Sequence, residues 1–142
     1  MGDRTTCNLY LYGDLEKVSP PHLVALVSAI DAIGPETYLE EPTSEKLAGS
    51  GANFQFHEVN YANMDVDLDA AILAADLSYV WAWEAGGGYG SGMKLYNAAT
   101  KEAAEFATCD GEICLCMSEL TPEKIAEARH WHDWKSALGL AA

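Results

Sequence analysis

Residues 77–97 read LSYVWAWEAGGGYGSGMKLYN, and the fold class turns on this run. Leu77, Tyr79, Trp81 and Trp83 alternate with Ser78, Val80, Ala82 and Glu84, which is the period of a β-strand with two distinct faces. Five glycines then fall within seven residues (Gly86, Gly87, Gly88, Gly90 and Gly92), and residues 93–97 resume the strand pattern. Alternation broken by glycine and then resumed predicts two antiparallel strands joined by a flexible connection.

Upstream, residues 5–13 alternate Cys7, Leu9 and Leu11 with Asn8, Tyr10 and Tyr12, a predicted strand that stops at Gly13-Asp14. Ser19 followed by Pro20 opens a helix, because proline at the first helical position needs no N–H partner. Leu23, Leu26, Val27, Ile30 and Ile33 then lie on one helical stripe, and Gly34-Pro35 ends it. Residues 36–53 read as a long acidic connection with a short helix over 44–48, and residues 54–62 as a second strand. Residues 65–75 predict a short helix with Leu68, Ile72 and Ala75 inward and acids in its first turn, where the helix dipole favours them. Downstream, strands over 102–109 and 112–117 flank Asp110-Gly111, a two-residue hairpin signal. Thr121 and Pro122 open a last helix whose apolar side is Ile125, Ala128, Trp131 and Leu138.

The order β-α-β-α-β-β-β-β-α predicts one α+β domain over residues 1–142: an antiparallel sheet with helices packed on one face, a ferredoxin-like two-layer sandwich.

Charge bounds the function. Twenty-two acidic residues against eight lysines and arginines give a net charge of −14. Such a field repels phosphate backbones and anionic membranes, so direct nucleic-acid binding and membrane attachment are not expected. It suits either plain solubility, as in a halophile-like or generally acidic proteome, or an acidic surface that competes for the basic groove of a nucleic-acid-binding protein. The first residues hold no apolar stretch of the signal-peptide kind, so Cys7, Cys109, Cys114 and Cys116 are expected as reduced thiols in a cytoplasm.

The chemistry-bearing motifs are weak. A glycine loop cradles phosphate when a helix follows it, and here a strand follows. Cys109, Cys114 and Cys116 cluster, and Cys114 and Cys116 point to the same face of the predicted strand, where they could share a metal. His130 and His132 lie two apart on a helix and cannot both face a metal. Asp65, Asp67 and Asp69 carry EF-hand spacing, but Ala70 stands where that loop requires glycine. No cysteine follows a glycine elbow or opens a helix, where its pKa would fall. The expectation is therefore a non-catalytic protein with no cofactor and no bound metal, with a zinc-stabilised module as the metal alternative.

The run FQFHEVNYA, the short helix DVDLDAAILAA and the aromatic strand ending at Glu84 before Gly88, Tyr89 and Gly92 resemble YubB-type ferredoxin-like proteins of bacterial plasmids and phages. The resemblance covers residues 54–106, and the first half lacks the tryptophan-rich opening usual there. It implies a mobile-element setting and a ferredoxin-like sheet, and it carries over no catalytic residues.

Two functional readings follow. In the first, the protein binds and inhibits a host protein with a basic surface, such as a nucleic-acid-handling defence factor. Its contacts are Trp81, Trp83, Glu84, Tyr89, Glu36, Glu40 and Glu41, on a sheet face whose aromatics are either exposed or covered by helices. In the second, it sequesters a small ligand such as a nucleotide at Gly86, Gly87, Gly88, Gly90, Gly92 and Lys94, beside the tryptophans. A homodimer is compatible with either.

Overall fold

A computed structural model describes residues 4–33, 52–60, 66–85 and 90–138. The chain forms β1 (Arg4–Tyr12), α1 (Pro20–Ile33), β2 (Ala52–Asn60), α2 (Val66–Ala74), β3 (Ser78–Trp83), β4 (Gly92–Asn97), β5 (Glu102–Cys109), β6 (Glu112–Cys114) and α3 (Pro122–Ala137). Short 3₁₀ turns at Leu15–Lys17 and Met117–Glu119 interrupt the connections. The six strands make one sheet in the order β2-β1-β3-β4-β5-β6, with every neighbouring pair antiparallel. The expected short helix over 44–48 lies outside the described residues.

Register assigns the faces. Leu9 stands opposite Trp81, Trp81 opposite Lys94, and Tyr79 opposite Tyr96, so these share the first face. There Cys7, Leu9, Leu11, Phe54, Phe56, Tyr79 and Trp81 form a core with Leu26 and Ile30 of α1 and Leu68 and Ile72 of α2. Phe56 and Trp81 meet as tilted rings 5.6 Å apart, and Tyr79 stacks on Tyr96 at 5.7 Å. The Tyr79 hydroxyl donates to Asp69 at 2.8 Å, which ties α2 to the sheet.

On the second face, Val80, Met93, Leu95 and Phe106 pack against Ala128 and Trp131 of α3. Helices therefore cover both faces, and the one-faced, two-layer arrangement expected from the sequence is corrected. The physical reason is that the second face of β3 and β4 is apolar too: Val80, Met93 and Leu95 need cover as much as Tyr79 and Trp81 do on the first.

Local chemistry explains the joints. α2 ends in a Schellman motif: Leu77 N–H donates to Ile72 C=O at 3.3 Å and Asp76 N–H to Leu73 C=O at 3.0 Å. Asp76 takes the left-handed conformation (φ 58°) that glycine more often supplies. The β5–β6 hairpin turns on Asp110 (φ 53°) and Gly111 (φ 81°), as the Asp-Gly signal predicts. Thr121 caps α3, accepting from Lys124 N–H at 3.2 Å, with Pro122 in the first turn. Among the described residues no helix is long and apolar enough to cross a membrane.

Candidate functional site

A cleft of about 620 Å³ opens where the second face meets the end of β3, the start of β4, the β5–β6 turn and the end of α3. Asn8 and Tyr10 of β1, Val80 and Ala82 of β3 and Met93 of β4 line it from the sheet, with Val80 and Met93 buried. Glu84, Ala85 and Ser91 border it from the ends of the glycine connection, Asp110 and Gly111 from the hairpin turn, and Lys135 from α3. The result is an apolar floor within a polar rim, the usual composition of a binding site.

The rim is fixed by short bonds. The Ser91 hydroxyl donates to Thr108 C=O at 2.9 Å, the Thr108 hydroxyl donates to the Ser91 hydroxyl at 3.0 Å, and Thr108 N–H donates to Ser91 C=O at 3.0 Å. Both hydroxyls are thus committed to holding the start of β4 against β5. Lys135 donates its ammonium to Gly111 C=O at 3.3 Å, which anchors α3 to the turn. Glu84 N–H donates to Thr6 C=O at 3.1 Å, beside a bulge between Thr5 and Cys7 in the β1–β2 pairing. Trp83 donates its indole N–H to Gly90 C=O at 3.2 Å. A Cβ on Gly92 would sit 2.3 Å from the Trp83 ring and 2.9 Å from Phe106 C=O, so the indole lies where only glycine leaves room.

Electrostatically, the described rim carries two carboxylates, Glu84 and Asp110, both exposed, and one ammonium, Lys135. Beneath it, burial first and the Glu84 carboxylate second push the Cys7 thiol up to about 12, so this cysteine is inert near neutral pH. On the same face as Tyr10, burial and then Tyr10 itself raise the Tyr12 phenol to about 12. Tyr10 and Tyr12 are half-buried against the second core.

The structure separates the residues singled out from sequence. Trp81 is 2% exposed beneath α1 and α2, so it belongs to the core and not to a contact surface. The aromatic face expected to be open or covered is covered at Tyr79, Trp81 and Trp131, and half-covered at Tyr10, Tyr12, Trp83 and Trp134. Glu84 reaches the cleft, and Trp83 borders it at the end of β3 while its indole packs over Gly92 on the first face. Gly92 borders it but is buried under the indole, and Gly90 is exposed at the loop's end. Lys94 faces the other way, opposite Trp81 and Glu105 on the first face. Glu36, Glu40, Glu41, Gly86, Gly87, Gly88 and Tyr89 lie outside the described residues.

The cysteines are placed differently from the expectation. β6 ends at Cys114, and Cys116 caps the 3₁₀ turn, its N–H donating to Glu119 at 3.0 Å, a bond that holds the Glu119 carboxyl below its usual range. Cys114 instead shares its strand face with Cys109. Desolvation first, then the Cys109 thiol and the nearby Asp110 and Glu112, raise the Cys114 thiol. All four cysteines are unbridged, and among the described residues no group of three or more His, Cys, Asp or Glu side chains is arranged to hold a metal ion.

Asn8, Tyr10, Asp110 and Lys135 were not legible as site residues. Asp110 reads in sequence only as a turn former and Lys135 belongs to no motif; the fold joins them to Asn8 of β1 from more than a hundred positions away. No protein-family model, no curated protein and no solved structure matches this chain.

Proposed function

We propose that this chain is a non-catalytic acidic binding protein that engages the basic surface of a partner protein, with the second-face cleft at the centre of contact. The observation that carries this reading is the cleft itself: an apolar floor edged by the exposed carboxylates of Glu84 and Asp110, in a chain of net charge −14. Opposite charge speeds and orients such encounters, and an apolar centre supplies the area that holds them. Tyr10 and Asn8 add side chains of the kind that interfaces favour, with large contact area and adaptable hydrogen bonding.

The acidic surplus extends the proposal to the partner's class: a host protein whose basic groove handles nucleic acid, such as a defence factor, inhibited when this chain occupies the groove. The resemblance over residues 54–106 supports a plasmid or phage setting. The test is capture from bacterial lysate on the immobilised protein. Retained proteins should elute as salt rises and disappear with the Glu84→Lys/Asp110→Lys variant. Capture indifferent to both salt and charge reversal would sink the reading.

The size of the cleft favours a second reading, since pockets of about 300–1,000 Å³ take small molecules. Titration with nucleotides, followed by tryptophan fluorescence, separates the two readings. Saturable quenching that vanishes in a Trp83→Phe variant supports ligand sequestration, and a flat response removes it.

A further inference from the structure

We infer that the cleft is a socket for a single arginine side chain of the partner, which rests on the protein-binding reading above and sharpens it. An arginine has two parts with opposite needs: an aliphatic stem that gains by leaving water, and a planar cation that requires anionic or carbonyl acceptors. The cleft offers both in sequence. Val80, Ala82 and Met93 form an apolar floor, and Glu84 and Asp110 stand at the rim. Tyr10 lines the same wall with an aromatic ring, a surface on which a guanidinium stacks better than an ammonium does.

Lys135 gives the inference its sign. Its ammonium lies on the rim, bonded to Gly111 C=O at 3.3 Å. If the cleft takes a cation, Lys135 opposes the ligand, and removing its charge strengthens binding. If the cleft takes a phosphate or carboxylate, Lys135 is the anchor, and removing it weakens binding. The same substitution therefore moves affinity in opposite directions under the two chemistries.

The probe is a capped Gly-Arg-Gly peptide titrated into the ¹⁵N-labelled full chain, beside its citrulline analogue, which keeps the shape and loses the charge. The arginine peptide should shift the amides of Asn8, Ala82, Met93 and Gly111 saturably, and the citrulline peptide should bind about tenfold more weakly or not at all. Glu84→Gln and Asp110→Asn should each weaken binding about tenfold. Lys135→Gln should tighten it, and Glu102→Gln, at the far end of β5, should change it little. Unchanged spectra of the unliganded variants confirm that each is folded.

Equal binding of the citrulline peptide, weaker binding by Lys135→Gln, or an equal loss from Glu102→Gln would each overturn the socket. A hexa-arginine peptide separates this failure from that of the parent reading. If it binds with steep salt dependence while the socket criteria fail, the acidic surface stands and the socket does not. If neither peptide binds, both fall.

Discussion

On the first face of the sheet, Cys7, Leu9, Leu11, Phe54, Phe56, Tyr79 and Trp81 are each 2% exposed or less, sealed by two helices. On the second face, one helix contributes only Ala128 and Trp131 as buried residues, and Tyr10, Tyr12, Ala82 and Trp134 remain half-buried around it. The contrast follows from sequence. α1 is apolar along a whole stripe, whereas α3 (PEKIAEARHWHDWKSA) interleaves its few apolar residues with charge. A helix with so narrow an apolar stripe cannot cover a sheet face fully, and the space it leaves is the cleft. The first face is the more fully sealed core, and the second leaves the cleft that the proposed reading assigns to a partner.

The largest test of that division is a pair of truncations. Trp81→Ala removes a fully enclosed ring and should cost about 3–5 kcal/mol in urea unfolding. Trp134→Ala, at a half-buried position, should cost about 1 kcal/mol. Equal losses would erase the distinction between the faces.

Alkaline unfolding sharpens it next. The Cys7 thiol titrates near 9 in the unfolded chain and near 12 in the folded one. Its contribution is therefore complete below pH 9 and is lost as pH rises through that window, by up to about 1.4 kcal/mol per pH unit. Stability measured from pH 8 to 12 should fall, and a Cys7→Ala variant, less stable at neutral pH, should fall less steeply. Parallel slopes would mean that Cys7 is not sealed.

Gly92→Ala probes the border between the faces. The added carbon must displace the Trp83 indole, at a cost of about 1–3 kcal/mol with a red-shifted fluorescence maximum. Adding Trp83→Ala should restore part of that loss, because the clash is gone. A smaller effect belongs to Tyr79→Phe, which removes the hydroxyl bonded to Asp69 and should cost about 1 kcal/mol, read from the unfolding midpoint.

What was legible in sequence was local. The element order, the α1 stripe, the Asp110-Gly111 hairpin and the Thr121-Pro122 helix start all follow from neighbours a few residues apart, and the structure contains each of them. The two-sided packing was not legible. Alternation separates the faces of β3 and β4 but does not say that the Val80, Ala82, Met93 and Leu95 face also needs a helix, because period two does not show what covers a face. Trp81 reads in sequence as a contact residue for the same reason: period two fixes which way a side chain points, not what covers it. The cleft was harder still. Asn8, Glu84, Asp110 and Lys135 meet only after strands far apart in the chain have paired, and no spacing announces them.

The most direct measurement follows one double variant, Glu84→Gln/Asp110→Asn, in two experiments side by side: urea unfolding, and binding of the capped arginine peptide at several salt concentrations. If the second face is for recognition, the unfolding midpoint should stay within about 0.5 kcal/mol of the original chain while the peptide affinity and its salt dependence both collapse. An earlier unfolding transition with peptide binding intact would place these two carboxylates in the stability of the fold and contradict the assignment of the cleft to partner binding.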